Sequence, residues 1–281
     1  MNIGEALRIF SAGLSGSADD PSLETQLIIK KATGLSRPVL LSHADQPLDP
    51  AAESDIREMV QRRKEGFPLP YLLGTWEFYG HDFEVNPSVL IPRPETELLV
   101  DEAAAWLKRH PNARHGFDIG TGSGCIAVSL LLDFPDLKMT AVDIQRDALR
   151  TAKQNAERHH CGDRFFPVQA SLFSAFSGGA QLICANLPYI PSETCRTIDP
   201  AKFEPLTALD GGPDGFDLYR LLFLQTAHKI KEESLILCEI EYRQRDLALR
   251  EAREYFPGRP VRVLEDLAGQ PRLLKIGGET E

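Results

Sequence analysis

Two short segments carry the side chains in this sequence best suited to chemistry. The first is Asn186-Leu187-Pro188-Tyr189, which closes an apolar run over 181–186. A planar amide or exocyclic amine has its lone pair delocalised, so it attacks an electrophilic carbon only when held in line and pushed toward a tetrahedral nitrogen. Two hydrogen-bond acceptors aimed at the two N–H bonds achieve this, and the Asn186 side-chain oxygen and the Leu187 backbone carbonyl supply them. Pro188 stiffens the turn and Tyr189 offers a flat wall. A strong general base is unnecessary, because the ammonium-like product loses its proton readily to water. Taken alone, N-x-P-Y marks a turn more often than a site; at the carboxyl end of a strand beside a ligand loop, the balance reverses.

That ligand loop is the second segment, Phe117-Asp118-Ile119-Gly120-Thr121-Gly122-Ser123-Gly124, followed by the apolar stretch Cys125–Leu130. Glycines at alternate positions let the backbone turn sharply and come close to a ligand, with helix N–H groups aimed at it. A tight structural turn is the plainer alternative. Asp143 strengthens the ligand reading: it ends the next apolar run, nineteen residues beyond Gly124, where a carboxylate can accept both hydroxyl hydrogens of a ribose. Its plainer role is to cap the following helix. A dinucleotide site favours G-x-G-x-x-G; here the spacing is G-x-G-x-G with Asp118 in front. This spacing resembles the S-adenosylmethionine loop of the Rossmann-like methyltransferases. That cofactor has no phosphates, and its sulfonium favours an acidic pocket, which suits the absence of Lys and Arg from residues 115–137. Asp118, Gly120, Thr121, Gly122, Ser123, Gly124 and Asp143 are therefore the expected cofactor residues.

The elements that position these segments follow from apolar periodicity. Residues 2–13, 20–34, 36–43 and 50–66 read as helices, with Leu23, Leu27, Ile28 and Ile56, Met59, Val60 at helical spacing. Asp20-Pro21 and Asp49-Pro50 each offer a capping carboxylate before a proline whose missing N–H costs nothing in a first turn. A small helical domain over 1–67 is expected. From Pro68 the texture changes: Pro68, Pro70, Gly74, Gly80 and Pro87 punctuate Tyr71, Trp76, Phe78, Tyr79 and Phe83, which reads as a β-hairpin linker over 68–93. Residues 94–281 open with a helix over 95–109. Short apolar runs then alternate with helices, at 116–120, 139–143, 165–169, 181–186, 234–240, 261–264 and 273–276, the pattern of an α/β fold with a parallel sheet. Such sheets bind ligands at the carboxyl ends of their strands, where both segments lie. The stretch 191–214, rich in Pro, Gly and acidic residues, is long enough to be a functional flap.

Composition narrows the function further. At 281 residues the chain suits two unequal domains. Its formal net charge of −10 repels a phosphate backbone. The longest basic cluster, Arg62-Arg63-Lys64, has Glu58 and Glu65 beside it and reads as a solvated face. Five scattered cysteines without a C-x-x-C pair indicate neither a disulfide scaffold nor a zinc site. Glu5 and Arg8 interrupt the apolar residues of the start, and no apolar run reaches the ~20 residues of a membrane span. A cytoplasmic protein with no metal, no membrane contact and no direct nucleic-acid contact is expected.

Three further stretches select a substrate. They are Pro68-Leu69-Pro70-Tyr71-Leu72-Leu73-Gly74-Thr75-Trp76-Glu77-Phe78-Tyr79-Gly80, Ile91-Pro92-Arg93-Pro94-Glu95-Thr96-Glu97 and Phe203-Glu204-Pro205-Leu206-Thr207-Ala208-Leu209-Asp210-Gly211-Gly212. With the two loops, they make the chain resemble the release-factor glutamine methyltransferase family, also called HemK or PrmC. The resemblance implies a Rossmann-like S-adenosylmethionine-dependent methyltransferase sheet with a small N-terminal helical domain joined by a β-hairpin linker. It implies methylation of the amide nitrogen of the glutamine in the Gly-Gly-Gln loop of class 1 peptide chain release factors, the helical domain helping to dock that protein. It puts Gly120 to Gly124, Asp143 and Asn186 at cofactor positions and Asn186, Leu187, Pro188 and Tyr189 around the acceptor. A monomer is expected. Two departures stand out: Leu187 replaces the first proline of N-P-P-Y, leaving the carbonyl but loosening φ, and Ser171 replaces an acid near the adenine, with Leu172 beside it for packing. Arg93 is open between a surface ion pair and a lid role. The rival enzyme is an adenine-N6 methyltransferase acting on DNA or RNA, because the same geometry serves any flat amine; it calls for a basic cleft, and none is visible in the sequence.

Overall fold

A computed structural model describes residues 1–278. The chain divides into two compact units, Met1–Thr75 and Trp76–Glu281. The first is built of helices α1 (Ile3–Leu14), α2 (Pro21–Thr33), α3 (Arg37–Ser42), α4 (Pro50–Lys64) and α5 (Leu69–Leu73). The aspartates before the prolines cap as expected: Asp20 accepts from the Leu23 N–H at 2.9 Å and Asp49 from the Ala51 N–H at 2.8 Å. In α1, Ile3, Ala6, Phe10 and Leu14 recur every three or four residues and are all buried. The basic cluster is consumed inside this unit, with Arg63 Nε 2.6 Å from Glu24 Oε2 and Arg62 over the Phe67 ring at 4.0 Å.

Residues 69–73, expected within the hairpin linker, form helix α5 instead. Pro70 falls in the first turn, where a fixed φ favours a helix and no donor is missed, and Leu69, Tyr71 and Leu72 bury their side chains. The hairpin is confined to β1 (Thr75–Phe78) and β2 (His81–Glu84).

The second unit continues with α6 (Glu97–Arg109), β3 (His115–Ile119), α7 (Cys125–Asp133), β4 (Lys138–Asp143), α8 (Arg146–Arg158), β5 (Phe165–Gln169), β6 (Ala180–Ala185) and α9 (Ser192–Cys195). It ends with α10 (Asp217–Thr226), β7 (Ile230–Glu239), α11 (Arg245–Tyr255), β8 (Val261–Glu265) and β9 (Pro271–Gly277). The sheet order is β5-β4-β3-β6-β7-β9-β8, parallel from β5 to β7, with β9 antiparallel to both of its neighbours. Strand side chains alternate between two apolar layers. Leu182, Cys184, Leu235 and Leu237 face one layer with α6, α7 and α8; Ile183, Ala185, Ile236 and Cys238 face the other with α10 and α11. Because both faces are covered, these strands read as continuous apolar runs. The order reverses between β3 and β6, and Ile119 pairs with Ala185, so the segments following these two strands emerge side by side.

Asn155 on α8 is fully buried and ties the hairpin to the glycine loop. Its Oδ1 accepts from the Glu84 N–H at 2.7 Å, and its Nδ2 donates to the carbonyls of Glu84 and Ser123 at 3.0 and 2.9 Å. Asn155→Ala strands three backbone groups, one of them buried, and is expected to cost the second unit about 2 kcal/mol. The two tryptophans, Trp76 and Trp106, both lie in that unit, so urea unfolding followed by tryptophan fluorescence reads this directly.

Candidate active site

The crevice at the strand reversal is a cleft partly open to solvent. Its walls include Gly120 to Ser123 after β3, Asp143 and Ile144 after β4, Ser171 and Leu172 after β5, and Asn186 to Pro188 after β6. Four consecutive parallel strands of the sheet thus deliver their carboxyl ends to one place, as open α/β sheets do.

Gly120 shows how closely the two segments are fitted. Its φ is +75°, and a Cβ there would stand 2.9 Å from Leu187 Cδ2. A side chain there would be strained at this φ and would displace the tip of Leu187. Beneath the loop, Asp118 is wholly buried and takes no part in the cleft wall. Its Oδ2 accepts from Thr121 Oγ1 at 2.6 Å and from the Ala127 N–H at 3.3 Å. Asp118 therefore braces the loop and the start of α7 from below. Burial raises its carboxyl to about 7, against the pull of those two donors.

Asp143 Oδ2 accepts from the Gly122 N–H at 3.0 Å and Oδ1 from the Gln145 N–H at 2.8 Å. It caps the start of the following segment and faces the cleft as well. A carboxylate offers about four lone-pair sites; the Ile144 N–H also draws on this one, and the remaining capacity faces the cleft. Burial shifts this carboxyl upward too. Leu172 holds a left-handed backbone, φ +52°, which a leucine adopts only under constraint from its surroundings; its side chain packs with Phe173 and Ile183 while its edge meets the cleft.

On the acceptor side, Asn186 Nδ2 donates to Thr96 Oγ1 at 3.0 Å. The Leu187 N–H donates to the Tyr219 hydroxyl at 3.1 Å, and that hydroxyl donates to the Glu239 carbonyl. Tyr189 turns inward, its hydroxyl 3.2 Å from Glu239 Oε1 and its carbonyl accepting from Gln244 Nε2 at 3.0 Å. Burial against the Glu239 carboxylate raises the Tyr189 phenol far above its usual range. Residues 191–214 fold over this segment through α9 and short 3-10 turns, and a backbone bridge joins Ile190 to Asp210. Gly215, φ +76°, closes the approach: a Cβ there would stand 2.1 Å from the Tyr189 carbonyl. Arg93 pairs with the buried Glu204 at the base of this flap, and Glu204 Oε2 accepts from the Ile91 N–H at 3.1 Å. Arg93, on the cleft wall, thus joins the flap to the 85–93 segment through this ion pair.

Of the sequence-derived residues, Gly120, Thr121, Gly122, Ser123, Asp143, Ser171, Leu172, Asn186, Leu187 and Pro188 line the cleft, whereas Asp118, Gly124 and Tyr189 stand behind it. Gly124 is packed on α8, where a Cβ would meet Ala152 Cβ at 3.0 Å. Three participants escape a reading by motif. Ile144 is 59% exposed on the cleft wall; its signal is a large aliphatic side chain directly after a strand-ending aspartate. Glu239 is 1% exposed; its signal is one acid inside an apolar run. Thr96 lies in the 91–97 stretch, but nothing in that stretch marks its hydroxyl as a partner of Asn186.

Comparison with known proteins adds the lineage. The family model described as PrmC N-terminal domain matches residues 5–74, and the one described as Methyltransferase small domain matches residues 95–196. The release factor glutamine methyltransferase of Geobacter sulfurreducens is 40% identical over 234 residues, covering 82% of this chain and 81% of that protein. The Moorella thermoacetica protein of the same name is 37% identical over 274 residues, 96% and 95% of the two chains. The chain belongs to the release factor glutamine methyltransferase family. Its fold is also that of the hMettl16 catalytic domain, with a TM-score of 0.56, 15% identity, and coverage of 83% of this chain and 82% of that one.

S-adenosylmethionine, the methyl donor of this family, fits the cleft on three counts. Asp143 has lone-pair capacity left for a ribose diol, and a Cβ on Gly122 would meet open space. The one guanidinium on the wall, Arg93, is neutralised by Glu204, so a sulfonium meets no free cation among the lining residues. Ile144 and Leu172 give apolar surface for an adenine beside Ser171. Bound there, the cofactor supplies an electrophilic methyl group.

The Asp118 carboxyl makes a pH signature. Its value is about 7 in the fold and ~4 when unfolded, so the native state holds the proton more tightly. Its contribution to stability is complete below pH ~4 and is lost as pH rises toward 7. Asp118→Asn is expected to flatten the urea midpoint between pH 5 and 8 relative to the parent, removing a slope worth on the order of 3 kcal/mol. Parallel pH profiles for the two proteins would contradict this.

Proposed function

We propose that this protein transfers a methyl group from S-adenosylmethionine to the side-chain amide nitrogen of the glutamine in the Gly-Gly-Gln loop of class 1 peptide chain release factors. The observation that carries the reading is the orientation of Asn186 beside the glycine loop. With Nδ2 occupied by Thr96, the Asn186 oxygen remains to accept one N–H of an incoming carboxamide. The Leu187 carbonyl is the acceptor for the second N–H. The preceding peptide is held by the Leu187 N–H bonded to Tyr219, a tether that serves for leucine where the related motif has proline.

Gripped at both hydrogens, the substrate nitrogen is steered toward tetrahedral geometry with its lone pair facing the methyl. These hydrogen bonds strengthen as positive charge develops on the nitrogen, so they act mainly in the transition state. The excess proton leaves to water, and no ionised base is required of the chain. Pro188 supports the substrate plane from the cleft wall, while Tyr189 acts from behind through its hydrogen bond to Glu239. Asp143 holds the ribose, the 120–124 loop the remainder of the cofactor, and Ser171 and Leu172 its base. The helical unit contributes docking surface for the release factor. The protein acts as a monomer in the cytoplasm, without direct nucleic-acid contact, in keeping with its net charge of −10; among the described residues no helix is long and apolar enough to cross a membrane.

The decisive assay incubates the protein and labelled S-adenosylmethionine with an unmethylated release factor and locates the added methyl by peptide mass spectrometry. The expected site is the glutamine of the Gly-Gly-Gln peptide; label elsewhere, or on DNA or RNA, overturns the substrate. Asn186→Ala is expected to keep cofactor affinity within about tenfold while lowering kcat by at least about a hundredfold, since the contacts it deletes form mainly in the transition state. Unchanged turnover would refute the role of Asn186.

A further inference from the structure

Behind Asn186 lies a polar network that the acceptor motif does not contain. Thr96 is 2% exposed and accepts the Asn186 Nδ2 hydrogen at 3.0 Å. A hydroxyl that accepts from an amide keeps its own proton to give, and the group it faces is the Glu239 carboxylate, whose charge it stabilises. Glu239 is 1% exposed at the carboxyl end of β7, and its Oε2 has no hydrogen-bond partner. This buried oxygen without a partner is an acceptor for that hydroxyl proton. An ionised carboxylate can only accept, so with Thr96 turned to it the Thr96 oxygen accepts, the Asn186 nitrogen points inward and its oxygen points outward.

The same glutamate reaches the rest of the acceptor segment. Its Oε1 takes the Tyr189 hydroxyl at 3.2 Å, and its backbone carbonyl takes the Tyr219 hydroxyl that holds the Leu187 N–H. Asn186, Leu187 and Tyr189 are thus all referenced to one residue on the neighbouring strand. An unconstrained asparagine amide has two nearly isosteric orientations, and only one presents an acceptor to the substrate nitrogen; the flipped one presents N–H groups and repels it. A buried carboxylate is costly to maintain, and the burial here pushes the Glu239 carboxyl upward against the pull of Thr96, Tyr189 and Arg272.

We propose that Thr96 and Glu239 are a positioning pair that locks the Asn186 carboxamide with its oxygen toward the acceptor nitrogen, an inference that rests on the role of Asn186 given above. Glu239 stands outside the cleft wall, and Thr96 reaches only its edge, 2% exposed with its oxygen taken up by Asn186. The effect of the pair is on the fraction of molecules with a productive Asn186, so it bears on kcat and leaves substrate affinity nearly unchanged.

The test uses the full-length protein labelled with [15N]asparagine, the Asn186 side-chain resonances being assigned by their loss in Asn186→Ala. In the parent protein without ligand, the two Asn186 Nδ2 protons are expected to be separated and slow to exchange with water. Thr96→Val, which keeps shape and deletes the hydroxyl, is expected to accelerate that exchange at least about tenfold and to lower kcat about 10- to 100-fold, with KM for cofactor and release factor within about threefold. Thr96→Ser restores both. Glu239→Gln, which removes the acceptor charge, moves the exchange in the same direction as Thr96→Val. The pair is overturned by Thr96→Val with unchanged amide exchange, by a loss that serine does not rescue, or by Glu239→Gln that leaves Asn186 protected. A parent protein that labels no release factor would sink the substrate reading instead, and the amide exchange would still decide the positioning pair.

Discussion

The close approach of two loops at the strand reversal governs this structure. Ile119 and Ala185 are paired across β3 and β6, so the residues that follow, Gly120 and Asn186, have no strand left to separate them. Leu187 Cδ2 lies 2.9 Å from where a Cβ on Gly120 would be. Cofactor loop and acceptor segment are consequently one packed object, whose internal distance is set by van der Waals contact. A packed contact of this kind tolerates little displacement, and methyl transfer between two bound partners depends on a separation fixed to a fraction of an ångström.

The rest of the second unit serves that contact from several directions. Asp118 holds the loop from below through Thr121 and Ala127, and Asn155 holds it from α8 through Ser123. On the acceptor side, β7 supplies Glu239 and α10 supplies Tyr219, so the segment is braced from the neighbouring strand and from the helix that precedes it. The flap is fastened at two points, by Arg93 with Glu204 at one end and by the backbone approach of Gly215 to Tyr189 at the other. Several of these braces are buried polar groups, each costly unless paired. Their concentration around a four-residue segment is what a site needs when its chemistry relies on directed hydrogen bonds and involves no strong base.

Leucine in place of the usual first proline of the acceptor motif is accommodated by the same logic. Proline would fix φ and donate no hydrogen bond; leucine leaves φ free but has an N–H, and the Tyr219 hydroxyl takes it. Rigidity lost from the ring is regained through a hydrogen bond to a fully buried tyrosine. The leucine side chain also fills the space above Gly120.

Local patterns in the sequence determined the helices with their Asp-Pro starts, the apolar strands, the glycine loop and the Asn186 turn, because each depends on residues only a few positions apart whose backbone preferences and periodicity act locally. The 69–73 segment misread as hairpin marks the limit of that legibility: its prolines suit either a strand boundary or a helix start, and burial of Leu69, Tyr71 and Leu72 chose the helix. Which residues touch the ligand space was a tertiary decision. Asp118 and Tyr189 belong to the right segments yet point away from the cleft, since the alternation of a strand and the twist of a turn fix direction only once the sheet is assembled. Thr96 and Glu239 stand 90 and 53 positions from Asn186 in the sequence, and only the parallel pairing of β6 with β7 and the packing of α6 against the sheet bring them to it. A single chain records the chemistry of a motif in its spacing; it does not record which distant hydroxyl will orient that motif, because such partnership is created by folding.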